Sequence, residues 1–174
     1  MPVQISFQEE HLHVIKAVSL ANQLLNDPMF YSNIAAKDHF DLSTAPPPVV
    51  AEVLQNSNLV FAVELFYPNL LTFKYRKTLA YTDTRFPNRL FLNFKKLDRS
   101  AESIAATIIH ESVHAVDNTT EMYTFGHGNN SAVGKENTAP YWIGNLANSM
   151  LLNGAPLTAL VFDQEEEEEA EQIA

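Results

Sequence analysis

Residues 107 to 117, TIIHESVHAVD, contain His110, Glu111 and His114 in the order H-E-x-x-H. On an α-helix, side chains four residues apart project from one face on adjacent turns, so two such imidazoles can bind one metal ion. A glutamate directly after the first histidine would lie beside the open coordination position. Zinc lowers the pKa of a bound water to about 7, and a carboxylate can accept the proton while the hydroxide attacks a polarised carbonyl. The spacing predicts His110 and His114 as zinc ligands and Glu111 as general base.

A catalytic zinc needs a third protein ligand, and the sequence offers three candidates. In FGHG, residues 125 to 128, His127 lies between two glycines, whose conformational freedom lets the backbone turn tightly. Glu121 and Glu136 are the alternatives, as in sites with two histidines and a carboxylate. The other histidines, at positions 11, 13 and 39, lie far upstream. We expect His127 to be the third ligand and leave the two glutamates open.

Two further functions near the motif are left open: the role of Asp117 and the identity of the tyrosine that stabilises the oxyanion. Asp117, one turn beyond His114, can hydrogen-bond a ligand imidazole or face water at the helix end. A phenol that stabilises the developing oxyanion is also expected, and Tyr141 or Tyr123 could supply it. Tyr141 could instead pack beside Trp142. We take Tyr141 as the candidate catalytic tyrosine.

The competing interpretation is an ordinary amphipathic helix that carries two histidines. Short motifs match by chance, and a buried histidine bonded to a backbone carbonyl is common. However, polar residues recur at spacings of three and four beside the apolar run IAATII, and a core helix does not need such a stripe. The stripe consists of Thr107, His110, His114 and Asp117. It favours the metal site.

The elements that must position these residues begin with a β region. Residues 58 to 66, 71 to 82 and 88 to 97 are rich in β-branched and aromatic residues and are separated by turn signals. We expect an antiparallel meander there. The motif helix follows directly, with Asp98 or Ser100 as its cap.

Three further helices are predicted around this region. From residue 9 to 26, apolar residues recur at helical spacing; they are Leu12, Ile15, Val18, Ala21 and Leu25. STAPPPVVAEVLQNSN, residues 43 to 58, predicts a proline-stiffened loop and a short helix. TAPYWIGNLANSMLLNG predicts a helix with Thr138 as cap, Pro140 in the first turn and Gly154 as stop.

Composition limits the kind of protein. With 174 residues, the chain predicts a single domain over residues 1 to 162 and an acidic, disordered tail over residues 163 to 174. The absence of cysteine excludes disulfides, thiol nucleophiles and thiolate zinc sites. The sequence has neither a membrane-length apolar run nor a signal peptide at its start, so we expect a cytoplasmic protein without membrane contact.

Charge is unevenly distributed along the chain. The formal net charge is −10, but residues 163 to 171 supply seven negative charges, which leaves about −3 for the rest. Eight of the eleven basic residues lie between Lys74 and Arg99. A solvated hairpin face is the simpler interpretation of this basic region, and a surface for anions or nucleic acid is the alternative.

The order of these elements resembles the zincin metallopeptidases, in which a small twisted sheet precedes an active-site helix with HExxH. Within that superfamily it is most similar to the SprT-like (Spartan) group: a strand with RLFLN, then ATIIHESVHA, then a loop with GHG. The resemblance implies an α+β, zincin-like fold, with an antiparallel or mixed sheet of about three to four strands against the HExxH helix and additional N- and C-terminal helices. It also implies His110, His114 and His127 as zinc ligands, and Glu111 as the catalytic glutamate.

The resemblance implies a zinc metalloprotease that acts on a protein or peptide substrate. Zincins commonly bind extended substrate along an edge strand, and residues 88 to 97 are the candidate here. A SprT-like protein would place DNA near the basic region. The alternative is a non-catalytic, zincin-like module that binds metal or protein. Peptide deformylases also carry HExxH, but they require a cysteine ligand and are excluded.

Overall fold

The computed structural model describes residues 1 to 69, 77 to 126 and 134 to 152. These residues form a mixed α and β structure, which confirms the predicted α+β class. The strands are β1 (Gln4–Phe7), β2 (Val60–Phe66), β3 (Ala80–Thr82) and β4 (Arg89–Asn93). The helices are α1 (Leu12–Leu25), α2 (Pro28–Ala35), α3 (Pro47–Asn56), α4 (Ala101–Asp117) and α5 (Ala139–Leu151). Within these described ranges, no helix is long and apolar enough to cross a membrane.

The four strands form one sheet in the order β1-β2-β4-β3. β1 pairs parallel with β2, and β2 pairs parallel with β4; only β3 pairs antiparallel, with β4. The predicted antiparallel meander is therefore wrong for β2, which pairs parallel with β4, and is confirmed for β3 and β4, which pair antiparallel. Three helices separate β1 from β2, and a long connection of this kind permits parallel pairing, whereas a tight turn does not. The sequence prediction also missed β1, a strand of only four residues.

The predicted edge strand is a second correction. Residues 88 to 97 contain β4, which lies between β2 and β3, so both of its edges are paired. The edge strands among the described residues are β1 and β3. β4 ends at Asn93 because the Asn93 side chain accepts a hydrogen bond from the Lys95 backbone N–H at 3.1 Å, which starts a short 3₁₀ turn. Of the predicted strand at 71 to 82, only β3 falls within the described part of the chain.

The buried face predicted for α1 is confirmed in the later part of the helix and is wrong in its first turn. Leu12 is 84% exposed and Ile15 is 47% exposed, whereas the predicted Val18, Ala21 and Leu25 are buried. The buried face also contains Val14, Ala17 and Leu24. Two small alanines on this face let α1 pack closely against α4 and β1. The elements that pack against α1 therefore determine which of its residues are buried, and they leave Leu12 and Ile15 exposed.

α4 is the central element of the fold. Its first turn is capped by Ser100, whose side chain accepts a hydrogen bond from the Ser103 N–H at 3.1 Å, as one of the two predicted caps required. The helix packs against α1, α5, β3 and β4. Thirteen of its seventeen residues are buried. Any chemistry on α4 therefore takes place in a largely enclosed environment.

Candidate metal centre

The two histidines of the motif converge on one point. The Nε2 atoms of His110 and His114 lie 3.2 Å apart, with the ring centroids 4.9 Å apart. Their rings are inclined at 68° to each other, so the two nitrogens meet edge to edge and the rings do not stack. His110 is only 5% exposed. Two residues of the predicted polar stripe, His110 and His114, thus direct their Nε2 atoms to the same point inside the protein.

The separation of the two nitrogens fits a shared zinc ion. Zinc binds imidazole nitrogen at about 2.0 to 2.1 Å with tetrahedral angles, which puts two ligand nitrogens roughly 3.3 Å apart. The observed 3.2 Å matches this separation without any movement of the backbone. The same distance also permits a hydrogen bond between two neutral imidazoles, depending on the tautomers. The donor chemistry of the pair, nitrogen without sulfur, suits zinc in a chain that has no cysteine.

Glu111 is buried on the same helix. It is only 8% exposed, one residue after His110 and three before His114. Burial of a carboxylate costs free energy, and natural proteins retain one mainly where it is paired or used. The predicted general base is thus buried on α4, one position from His110 in the chain.

α5 forms the wall behind His110. The Tyr141 ring packs edge-on against the His110 ring with the centroids 4.6 Å apart, and Tyr141 is buried. A Cβ atom at Gly144 would lie 3.1 Å from the His110 Cβ and 3.6 Å from its Nδ1. The missing side chain at Gly144 is what lets the two helices approach at this point. The sequence prediction included Tyr141 but missed Gly144, whose position in a helix interior was the available signal.

The packing of Tyr141 distinguishes the two placements considered for it, which are at the candidate centre and beside Trp142. Its ring contacts His110, while the Trp142 ring packs against Phe40 at 5.7 Å between centroids. Tyr141 is therefore at the candidate centre. Tyr123, the alternative phenol, is a partly buried residue at the margin of the hydrophobic core.

An arginine covers the N-terminal end of the polar stripe. Arg99 donates to the Thr107 hydroxyl at 3.0 Å, to the Ser103 hydroxyl at 3.2 Å and to the Lys96 carbonyl at 2.8 Å. Burial lowers the pKa of Arg99 to about 10, so it still carries its charge at neutral pH. This cation lies one helical turn before the motif, since Thr107 precedes His110 by three residues. The sequence prediction counted Arg99 only as part of the basic region.

Asp117 closes the other end of the stripe and takes neither of its predicted roles. Its Oδ1 accepts a hydrogen bond from the Phe125 backbone N–H at 2.9 Å. Burial raises the pKa of Asp117, and the Phe125 hydrogen bond opposes that shift. Phe125 is fully buried and is followed by Gly126 and then His127. Asp117 therefore anchors the chain just before the predicted third ligand.

The third ligand lies beyond what the structure describes. His127 falls in residues 127 to 133, outside the described residues. Within the described ranges, no group of three or more His, Asp or Glu side chains is placed to hold a metal ion. Glu121 and Glu136 are both exposed, and neither forms such a group with the histidine pair among the described residues. The assignment of His127 stays a prediction.

The basic region does not form one uniform cationic face. Arg85 pairs with Asp83 at 2.6 Å, Arg89 pairs with Glu64 at 3.0 Å, and Arg99 is buried against α4. Lys74 and Arg76 lie outside the described residues, as does the acidic tail. Pairing and burial thus remove three of the eight basic residues from a possible anion-binding surface. The predicted contact with nucleic acid gains no support from this arrangement.

Comparison of the chain with protein-family models, with curated proteins and with solved structures gave no match in any of the three.

Proposed function

We propose that this protein is a zinc-dependent metallopeptidase. One observation carries the proposal: the Nε2 atoms of His110 and His114 converge to 3.2 Å inside the protein, next to the buried Glu111. The pair is already at the separation that zinc requires. A site that only stabilised the fold would have no use for a buried carboxylate between its two ligands.

In this proposal each residue has a distinct task. His110 and His114 hold the ion, with His127 as the third ligand. Zinc, when bound, acidifies water and polarises the substrate carbonyl. Glu111 accepts the proton of the attacking water and returns it to the leaving amine. Tyr141 holds the His110 ring by edge-on packing, and its phenol is the candidate donor to the oxyanion.

A cavity beside the end of α4 offers room for part of a substrate. β3 lies beside α4 and is the last strand of the described sheet. A small cavity of about 80 Å³ lies between the β3–β4 turn and the end of α4, with Thr82, Ala115 and Asn118 in its lining. It has room for two or three waters at roughly 30 Å³ each, which suits a small substrate side chain.

The proposal is tested by zinc content and by cleavage, measured on the same preparations. The wild-type chain should bind one zinc and cleave an unfolded, alkylated protein. Glu111→Gln should retain the zinc and lose cleavage by about 100-fold or more, since general base catalysis contributes roughly that factor. The matched control is Glu52→Gln, an exposed helical glutamate on α3, which should keep both properties.

Two outcomes contradict the proposal in different ways. Wild-type chain that binds no zinc at micromolar concentrations would overturn the metal centre itself. Stoichiometric zinc with no cleavage by the wild type, or with equal cleavage by Glu111→Gln, would instead support a non-catalytic, metal-binding module. The first outcome concerns His110 and His114, and the second concerns Glu111.

A further inference from the structure

Arg99 carries a positive charge that makes no ion pair within the described part of the chain. Its Nε donates to the Lys96 carbonyl at 2.8 Å, and its Nη1 donates to the hydroxyls of Ser103 at 3.2 Å and Thr107 at 3.0 Å. All three acceptors are uncharged. The remaining nitrogen, Nη2, is buried and has no hydrogen-bond partner. The guanidinium therefore keeps its full charge and one unused donor group.

The acidic residues nearest to Arg99 in the chain make other contacts. Glu102 pairs with Lys16 at 3.1 Å. Asp98 is exposed and lines the open cleft at the start of α1. Burial lowers the pKa of Arg99 to about 10, so the charge is present at neutral pH. Removal of a charge from water costs free energy unless an opposite charge or hydrogen bonds replace the water, so this arrangement favours an added anion.

The guanidinium lies on the same face of α4 as the candidate metal ligands. On a helix, residues three and four apart are neighbours, with roughly 5 to 6 Å between their Cβ atoms. Thr107 is therefore a neighbour of both His110 and Glu111, and Ser103 lies one turn before it. Arg99 thus holds its charge about one turn from the proposed ion and the proposed general base.

We propose that Arg99 is a specificity-determining residue that binds a carboxylate of the peptide substrate. This inference rests on the proposed function, because it names the substrate class of the same centre. A guanidinium presents paired N–H donors whose spacing matches the two oxygens of a carboxylate, and the opposite charges strengthen both hydrogen bonds. Arg99 as a whole is partly exposed, so a ligand has a route to its side chain.

The position of Arg99 limits where this carboxylate lies in the substrate. One helical turn spans about 5.4 Å, and an extended peptide advances about 3.3 to 3.6 Å per residue, so the carboxylate lies within one or two residues of the scissile bond. An internal acidic side chain and the carboxyl terminus of the substrate present the same planar anion. The experiment must therefore separate these two sources.

Three short alanine peptides make this distinction. The first is blocked at both ends and has a central glutamate, the second has a glutamine there instead, and the third has the glutamine and a free carboxyl terminus. We expect wild-type kcat/KM for at least one carboxylate peptide to exceed that for the blocked glutamine peptide by about tenfold or more, as for other hydrogen bonds to charged groups. The difference should appear in KM, because a contact away from the reacting bond is equal in the ground state and the transition state.

Removal of the charge should abolish this preference and little else. For Arg99→Gln we expect the preference to fall below about twofold, with cleavage of the blocked glutamine peptide within about threefold of wild type. The matched control is Arg89→Gln. Arg89 is an exposed arginine on β4 that pairs with Glu64 at 3.0 Å, and its removal changes the net charge equally. Arg89→Gln should keep the wild-type preference.

Arg99→Lys covers the case in which Arg99→Gln does not fold. Lysine keeps the positive charge but lacks the paired donors of the guanidinium, so we expect less than about a third of the wild-type preference to remain. Binding of the same peptides to the metal-free chain, measured by fluorescence anisotropy, gives a readout that does not depend on cleavage. We expect the carboxylate peptide to bind the metal-free wild type more tightly than the blocked glutamine peptide.

The outcomes separate this inference from the proposed function. Equal cleavage and equal binding of all three peptides by the wild type would overturn the inference and leave the proposed function intact. The same holds for a full wild-type preference in whichever Arg99 variant folds, or for an equal loss with every peptide, which would show that Arg99 only supports the fold. A chain that binds no zinc, but prefers the carboxylate peptide through Arg99, would overturn the proposed function and leave the carboxylate site.

Discussion

The chain contains two pairs of neighbouring histidines, and the structure places them in opposite environments. His110 and His114 lie on α4 with their Nε2 atoms 3.2 Å apart in a largely buried position. His11 and His13 lie at the start of α1, with ring centroids 6.2 Å apart. They line an open cleft of about 500 Å³, where Phe94 and Asp98 follow the carboxyl end of β4.

The difference shows why one histidine pair is a candidate metal site and the other is not. A spacing of four returns a side chain to the same helix face, whereas a spacing of two turns it towards the other side. Burial then fixes the rotamers of His110 through Tyr141 and Gly144. His13 is exposed and has no such wall around it. Composition alone would treat the two pairs alike.

Among the variants that test the contrast between the two histidine pairs, removal of a predicted ligand should change zinc affinity most. His114→Ala leaves one imidazole at the centre, so we expect zinc affinity to fall by more than about 100-fold, beyond the range for supporting residues. The fold should persist, because His114 is only partly buried at the end of α4. Chelator competition and circular dichroism measure these two properties. Unchanged zinc affinity in His114→Ala would place the ion elsewhere.

A side chain added at Gly144, which packs behind His110 on α5, should have the next largest effect. Gly144→Ala adds a Cβ atom 3.1 Å from the His110 Cβ, so the His110 side chain or one of the two helices must shift by a few tenths of an ångström. We expect a loss of about 1 to 3 kcal/mol in the free energy of unfolding, as for other overpacked positions, and a weaker zinc complex. Urea unfolding with and without zinc separates the two contributions. If only the zinc-free stability changes, α5 supports the fold and does not position His110.

A smaller effect is expected at the buried end of the polar stripe. Asp117→Ala leaves the Phe125 N–H without its acceptor and should cost about 1 to 2 kcal/mol. Asp117→Asn keeps an acceptor and removes the half-buried charge. Because burial raises the pKa of Asp117 in the folded state, wild-type stability from this group is present at low pH and is lost as pH rises through the raised pKa.

The pH dependence distinguishes the two Asp117 variants. Relative to wild type, Asp117→Asn should gain stability between acidic and neutral pH, whereas Asp117→Ala should be less stable throughout. Unfolding by urea at pH 3.5 and at pH 7 measures the difference. If Asp117→Asn instead loses stability relative to wild type as pH rises, the negative charge of Asp117 itself favours the folded state.

The smallest effect is predicted for the histidine pair at the start of α1. A chain with both His11→Ala and His13→Ala should keep one zinc per chain, with an affinity within about twofold of wild type. Neither ring is placed with two other ligands among the described residues, and His13 is exposed. Zinc titration of this double variant beside His114→Ala tests the whole comparison. A loss of zinc from the double variant would show that exposure does not disqualify a histidine pair here.

Local features of the structure were accessible from the sequence. Ser100 as the cap of α4, the prolines in the first turns of α3 and α5, and the polar stripe of α4 all follow from interactions within a few residues. The exposure of Leu12 and Ile15 and the parallel pairing of β1 with β2 did not follow. Both depend on which remote element covers a given face, and short-range spacing contains no information about that choice.

The sequence by itself determined the chemistry that this protein can present: two imidazoles and a carboxylate on one helix, in a chain without thiols. Helical periodicity is a property of consecutive residues, so that part could be read directly. Only the tertiary structure decided that Gly144 and Tyr141 would brace His110, more than 30 positions away in the chain, and that Arg99 and Asp117 would contact the two ends of the stripe. These contacts arise from packing around a shared core.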